Sequence, residues 1–330
     1  MSKVICYGEA LIDFLQINQH NQEGVNLSDY RQFPGGAPAN AAVALAKLGG
    51  KSHFVGQVGN DQFGHFLINS LRHYGVNTDC TLIHKSAPTP LAFVHLDAHG
   101  ERSFTFMRKG SADLKLRPDD IKSQWFTHAS LMHFCSNTLT EKSAIDTTQA
   151  VLEHANENNL TICFDVNLRA NLWQNSALNI PLINEFVKKA HVVKFAREEF
   201  ELLYQNEAED YINKCFNGNC ELLLITGGGD DIEYITKHCR GSISPAKAKV
   251  VDTTAGGDGF IGAILYLLSD RISLSELTDN ENALKSAVAF ASCAGALAVS
   301  RQGAFPALPS LNEVNTLFNQ QFSALTGAFF

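Results

Sequence analysis

The residues best placed to do chemistry lie in Lys249–Leu265, KVVDTTAGGDGFIGAIL. Three small residues, Ala255, Gly256 and Gly257, lead into a helical-looking run, and Asp258 follows them directly. If VVDTT is a strand and FIGAILYLL a helix, the small residues form the turn at the helix N-terminus. Uncovered N–H groups and the positive end of the helix dipole would make that turn an anion hole. Asp258 then reads either as a helix cap or as a general base. As a base kept ionised by the dipole, it would take a proton from a hydroxyl. The adjacent N–H groups would meet a phosphoryl group arriving at the same oxygen. Gly257, Gly259 and Gly262 also spell G-x-G-x-x-G. The dinucleotide reading fares worse, because a carboxylate there repels a pyrophosphate and no ribose-binding acid ends a strand about 20 residues on. Close helix packing explains Gly259 and Gly262 better.

A second glycine pair, Gly35 and Gly36, precedes a helix expected to start near Ala39, with Asn40 in its first turn. Glycines there let a polyol approach the backbone, and Asn40 offers both donor and acceptor; a simple turn plus cap is the plainer reading. Ala44–Ser52, ALAKLGGKS, ends like a P-loop, but Leu45 stands where that loop needs glycine. Gly49 is read instead as the glycine ending the helix.

The elements that must hold these residues alternate. VICYG, SHFVGQVG, SLMHFCSN, LTICFDVN, HVVKFA and ELLLITGG are short β-prone runs, separated by helical segments such as ANAAVALAKLGG and AIDTTQAVLEHANENN. This pattern predicts an α/β fold, a three-layer sandwich around a mostly parallel sheet. Two segments break the rhythm, about 14–33 and 88–110, the second a hairpin with Asp97–Gly100 at its tip. Together they are expected to form a small β-sheet lid inserted in a single domain spanning 1–330. The net charge of −8 argues against nucleic acid and anionic membrane as partners. No uninterrupted apolar run approaches the roughly 18 residues of a membrane span. Eight cysteines without a C-x-x-C pair suit buried thiols in a reducing cytoplasm, where the chain is expected to reside.

GGAPANAAVALAKLG, FVGQVGNDQFG and DTTAGGDGF, in this order and separation, resemble the two signatures of the ribokinase-like (PfkB) carbohydrate kinase family. The resemblance runs from Val4 to about Pro309. It implies transfer of the ATP γ-phosphoryl group to a sugar or nucleoside hydroxyl, with Asp258 as base and Ala255, Gly256 and Gly257 as anion hole. Asp13, Gly35, Gly36 and Asn40 match sugar-binding positions, and Lys194, Thr226, Gly228 and Gly257 nucleotide-binding ones. The family's N-x-x-E motif is here Ala196–Glu199, so Glu199 is expected to serve Mg²⁺ through water. In the T-x-G-x-x-G strand end, Asp231 replaces the last glycine. A monovalent cation, K⁺, is implied at Asp252, Thr254 and the carbonyls of Ala298, Arg301 and Gly303. A homodimer through the lid is a further expectation.

Phe164–Trp173, FDVNLRANLW, looks like the D-x-N-x-R segment of fructokinases and close relatives. Asp165, Asn167 and Arg169 are therefore expected at the acceptor, with Arg108 beside them. Two arginines suit ketohexose hydroxyls or an anionic group. Fructose, phosphorylated at its 6-hydroxyl, is the first expectation. Aminoimidazole riboside and 2-keto-3-deoxygluconate are the alternatives, and a non-catalytic sugar-binding regulator is the reading from another class.

Overall fold

A computed structural model describes residues 2–96, 102–204 and 207–325. The chain opens with β1 (Lys3–Tyr7), β2 (Leu11–Gln22), β3 (Val25–Gly35), α1 (Ala37–Lys47), β4 (Lys51–Gly59) and α2 (Gln62–His73). Next come β5 (Thr81–His84), β6 (Leu91–Leu96), β7 (Arg102–Met107), β8 (Ala129–Cys135), α3 (Lys142–Glu157) and β9 (Thr161–Asp165). They are followed by α4 (Ile180–Val187), β10 (Val192–Ala196), α5 (Arg197–Tyr204), α6 (Ala208–Phe216) and β11 (Leu222–Gly227). The chain closes with β12 (Asp230–Thr236), β13 (Arg240–Ile243), α7 (Gly256–Asp270), α8 (Leu274–Asp279), α9 (Glu281–Val299) and α10 (Leu311–Gln321).

Nine strands form one sheet in the order β13-β12-β11-β10-β9-β8-β1-β4-β5. Every pairing from β11 to β5 is parallel, and β12 and β13 add an antiparallel edge. The central strands are apolar throughout because both faces are covered. In β1, Val4 and Cys6 enter one core, with α1, α7, α9 and α10. Ile5 and Tyr7 enter the other, with α3, α4, α5 and α6. The expected sandwich is borne out. By length and composition α9 could cross a bilayer, but here most of it is buried in the first core.

The two irregular segments form a second sheet, β3-β2-β6-β7, in which β2 runs parallel to β6. The expected hairpin tip, Asp97–Gly100, lies outside the described residues. The strand expected at VVDTT is absent, and residues 244–255 run without regular structure. Val251 and Asp252 donate their N–H groups to Val299 O, while the Asp252 carboxylate accepts from Thr254 N and Gly303 N. These bonds lay the segment along the end of α9 instead of in a sheet, and leave Val250 and Val251 exposed. The edge strands β12 and β13 were not anticipated. Gly49, with φ 95°, ends α1 as expected, and Lys51 simply begins β4.

The packing that matters most for the site is the crossing of α1 and α7. A Cβ on Gly262 would come 2.4 Å from Ala44 Cβ and 3.2 Å from both Ala41 O and Leu45 N. Only glycine permits this approach, so the G-x-G-x-x-G spelling reports helix packing. Gly262→Val is expected to overpack the crossing and cost about 1–3 kcal/mol, read as a lowered Tm. An unchanged Tm would show that the helices separate freely.

Candidate active site

Asp258 is the third residue of α7. The N-cap is Ala255, which makes no side-chain bond, so Asp258 does not act as the cap. Its carboxylate instead accepts from Asn40 Nδ2 of α1 at 2.8 Å. Asn40 and Ala44 are one turn apart on α1, as are Asp258 and Gly262 on α7, so the close crossing delivers this bond. Burial pushes the Asp258 carboxyl up to about 7; the Asn40 bond opposes this, Asp165 adds to it, and Lys194 and Arg169 oppose it. The expectation was a group kept ionised by the helix dipole; burial instead raises this carboxyl toward neutral pH. A carboxyl near 7 is well matched to a general base at neutral pH.

Asp13 reaches the same region from β2. A Cβ on Gly36 would lie 2.5 Å from Glu9 O, so that position requires glycine, and one on Gly35 would lie 2.1 Å from Asp13 Oδ2 and push that carboxylate aside. Gly36 also has φ 102°, a conformation that favours glycine. Burial, then Asp258, Asp252 and Glu9, push the Asp13 carboxyl up to about 7. Three buried acceptor atoms, Asn40 Oδ1, Glu9 Oε2 and Asn137 Oδ1, have no donor among the described residues. Buried polar atoms want partners, and a polyol supplies O–H donors.

The opposite side of the base is cationic. The parallel register of β9 and β10 sets Lys194 beside Asp165, and Lys194 Nζ bonds both carboxylate oxygens at 2.9 and 3.0 Å. That ammonium lies only 3.1 Å from where a Gly257 Cβ would be. Burial would lower the Lys194 pKa, but Asp165 and Glu199 outweigh it and the pKa is raised. The arrangement places a fixed positive charge at the N-terminus of α7, where an incoming phosphoryl group would be met by both. Glu199 accepts from Leu168 N at 2.7 Å and Ala196 N at 2.8 Å, tying the loop after β9 to the end of β10.

Two expected acceptor residues are otherwise engaged. Asp165 is ion-paired with Lys194 instead of standing free for a hydroxyl. Arg108 is buried, with Nε 2.6 Å from Asp113 Oδ2 and Nη1 2.9 Å from Asn137 O. Both pairings have one cause, since a buried charge needs an opposite partner. Arg169 is exposed but close enough in field to lower the Asp258 pKa, and Asn167 turns the chain at φ 40°.

Beside the N-terminus of α7 lies a cleft of about 610 Å³, lined by Thr226, Gly228, Gly256, Gly257, Phe260 and Ala296 among others. Thr226, Gly228 and Gly257 line this cleft, whereas Lys194 and Glu199 do not. Among the described residues no group of three His, Cys, Asp or Glu could cage a metal. For a monovalent cation the donor set is a buried Asp252 beside the loop of Ala298, Arg301 and Gly303. Hard oxygen donors suit it, although Asp252 already takes N–H bonds from Thr254 and Gly303, and Ala298 O one from Arg301 N.

The description "pfkB family carbohydrate kinase" matches residues 1–311. The chain belongs to the pfkB family of carbohydrate kinases. It is 35% identical over 323 residues to probable fructokinase-5 of Arabidopsis thaliana, covering 96% of this chain and 98% of the relative. Fructokinase from Xylella fastidiosa with bound ATP superposes with TM-score 0.90 at 36% identity, covering 97% of this chain and 98% of that one. A fructokinase double mutant from Vibrio cholerae O395, with fructose, ADP and potassium ion bound, gives TM-score 0.84 at 32% identity, covering 96% and 98%.

Sequence reasoning missed Glu9, Asn137 and Asp113 in this kinase. Glu9 Oε1 accepts from Ala37 N at 3.3 Å and Asn137 Nδ2 at 2.9 Å, capping α1 where Gly36 has no side chain to do so. The available signal was a carboxylate two residues past the end of an apolar strand, in VICYGE. For the base, Asp258→Asn is expected to lower kcat by about a hundredfold to ten-thousandfold with an unchanged circular dichroism spectrum. Below about pH 7 the carboxyl is protonated and cannot accept a proton. The kcat/KM profile should therefore rise with pH and level off above that value. A flat profile from pH 5 to 8 would remove Asp258 from the role.

Proposed function

We propose that this kinase phosphorylates fructose at its 6-hydroxyl, using ATP. The observation that carries this reading is the charge balance of the acceptor side. Asp13 and Asp258 face it with the unpartnered acceptors of Asn40, Glu9 and Asn137, while the Arg108 charge is already met by Asp113. Such a site favours a neutral molecule rich in O–H donors and disfavours a sugar acid or sugar phosphate. The fructose and ADP of the Vibrio cholerae structure support the same choice.

In this reading Asp13, Asn40 and the Gly35–Gly36 backbone orient the sugar. Asp258 takes the 6-hydroxyl proton as that oxygen bonds to the γ-phosphorus and the bond to the ADP oxygen breaks. Lys194 and the Ala255–Gly257 turn stabilise the charge on the transferring group, and Thr226 and Gly228 border the nucleotide. Mg²⁺ would neutralise phosphate oxygens, with Glu199 acting through water; K⁺ would sit at Asp252 and the Ala298–Gly303 carbonyls. Arg169 and Asn167 edge the acceptor.

A homodimer through the lid is supported by the exposed apolar residues Ile17, Val25 and Leu27 on its long β2–β3 arm. A reducing, cytoplasmic setting is supported by eight cysteines, all free.

A coupled ADP-release assay over fructose, ribose, 2-keto-3-deoxygluconate, aminoimidazole riboside and fructose 6-phosphate tests the choice. Fructose is expected to lead in kcat/KM by about tenfold or more. A win for the nucleoside or an anionic sugar would refute it. Replacing K⁺ by tetramethylammonium at constant ionic strength should lower turnover in the wild type, and Asp252→Ala should abolish that difference. Equal turnover in both salts would remove the cation role.

A further inference from the structure

The run Gly56–Gly64, GQVGNDQFG, contributes nothing to the chemistry above, yet its Gly59, Asp61 and Gly64 close around a single residue, Thr89. Asp61 Oδ2 accepts from Thr89 N at 2.8 Å, and Oδ1 accepts from Thr89 Oγ1 at 2.7 Å and from Gly64 N at 2.8 Å. Thr89 Oγ1 in turn accepts from Gly59 N at 3.0 Å. A Cβ on Gly59 would lie 2.6 Å from both Asp61 Oδ2 and Thr89 N, and one on Gly64 2.0 Å from Gly59 O. The spacing of two glycines around one aspartate is thus what this socket requires. Burial alone would raise the Asp61 carboxyl, but the bonds from Thr89 and Gly64 hold it below the usual range.

Thr89 is buried at the foot of the lid, immediately before Pro90 and β6. Pro90 O accepts from Ile12 N at 3.1 Å, and the parallel register then sets Ala92 against Asp13. Pro90 therefore joins the socket directly to β2, and only Pro90 and Leu91 separate Thr89 from Ala92, the register partner of Asp13. The other leg of the hairpin is held separately, by the buried Arg108–Asp113 pair.

We propose that Asp61 is a positioning residue for the acceptor site, clamping Thr89 so that β6 holds β2, and with it Asp13, in place over the sugar. This rests on the reading of Asp13 as a sugar-binding residue. The plainer alternative is that Asp61 merely caps α2 through Gly64 N. Asp61→Asn separates the two, because Asn caps a helix as well as Asp but would turn an amide N–H₂ toward Thr89 N–H. Thr89→Val leaves the cap untouched and removes the hydroxyl.

In the full-length enzyme, Asp61→Asn is expected to keep a near-native Tm, raise KM for the acceptor about tenfold and leave KM for ATP unchanged. Amide hydrogen exchange across β6 should accelerate, and Thr89→Val should shift acceptor KM and exchange the same way. Wild-type acceptor KM and β6 exchange in both variants would overturn the proposal, as would a parallel rise in both KM values. Asp13→Asn is measured alongside. If it leaves acceptor KM unchanged, the reading of Asp13 fails, and the exchange data alone then decide whether Asp61 clamps the lid.

Discussion

The site depends on how closely α1 and α7 approach. Gly262 against Ala41 and Ala44 brings the two helices together, and one turn away Asn40 meets Asp258. A bulkier residue at the crossing would separate an amide from a carboxylate that it both orients and partly stabilises. The bond fixes one oxygen of Asp258 and leaves Asn40 Oδ1 without a donor. One steric constraint thus sets both the direction of the base and the availability of a second polar atom.

Electrostatics divide the site around that bond. On the acceptor side, burial is the main cause that raises Asp13 and Asp258 to about 7, with Asp258, Asp252 and Glu9 adding to the shift of Asp13 and Asp165 to that of Asp258. On the phosphate side, Lys194 stays charged because Asp165 and Glu199 overcome its burial. Burial is the largest influence on the Asp258 carboxyl. The N-terminal N–H groups of α7 and the lysine lie together on the phosphate side, where in the proposed reaction they would meet the charge of the phosphoryl group.

The large sheet supplies rigidity and the small one supplies reach. Strands β9 and β10 end with Asp165 and just beyond Lys194, so the ion pair is anchored in the most buried part of the molecule. Asp13 lies on β2, outside that sheet, held by β3 on one side and β6 on the other. Asn171 Nδ2 also bonds Phe104 O at 2.9 Å, joining the loop after β9 to the lid. The acceptor is bounded by elements from both sheets, and its geometry follows from how firmly the lid is rooted.

Much of this was legible locally. Both-face burial of the strands, the small residues that open α7 and the glycine ending α1 follow from propensity, periodicity and capping, which act over a few residues. VVDTT misled because β-branched residues suit a strand, whereas long-range bonds to Val299 and Gly303 lay it flat on α9. The partners of Asp165 and Arg108 were not legible for a related reason: sequence shows that a buried charge needs a partner but not which one. The deciding pairs are far apart in the chain, 29 residues for Lys194 with Asp165 and 218 for Asn40 with Asp258. The amino-acid sequence by itself determined the layers, the turns and the chemical groups available. Only the tertiary structure decided which charges neutralise each other and which remain for a substrate, because that depends on strand register and helix crossing.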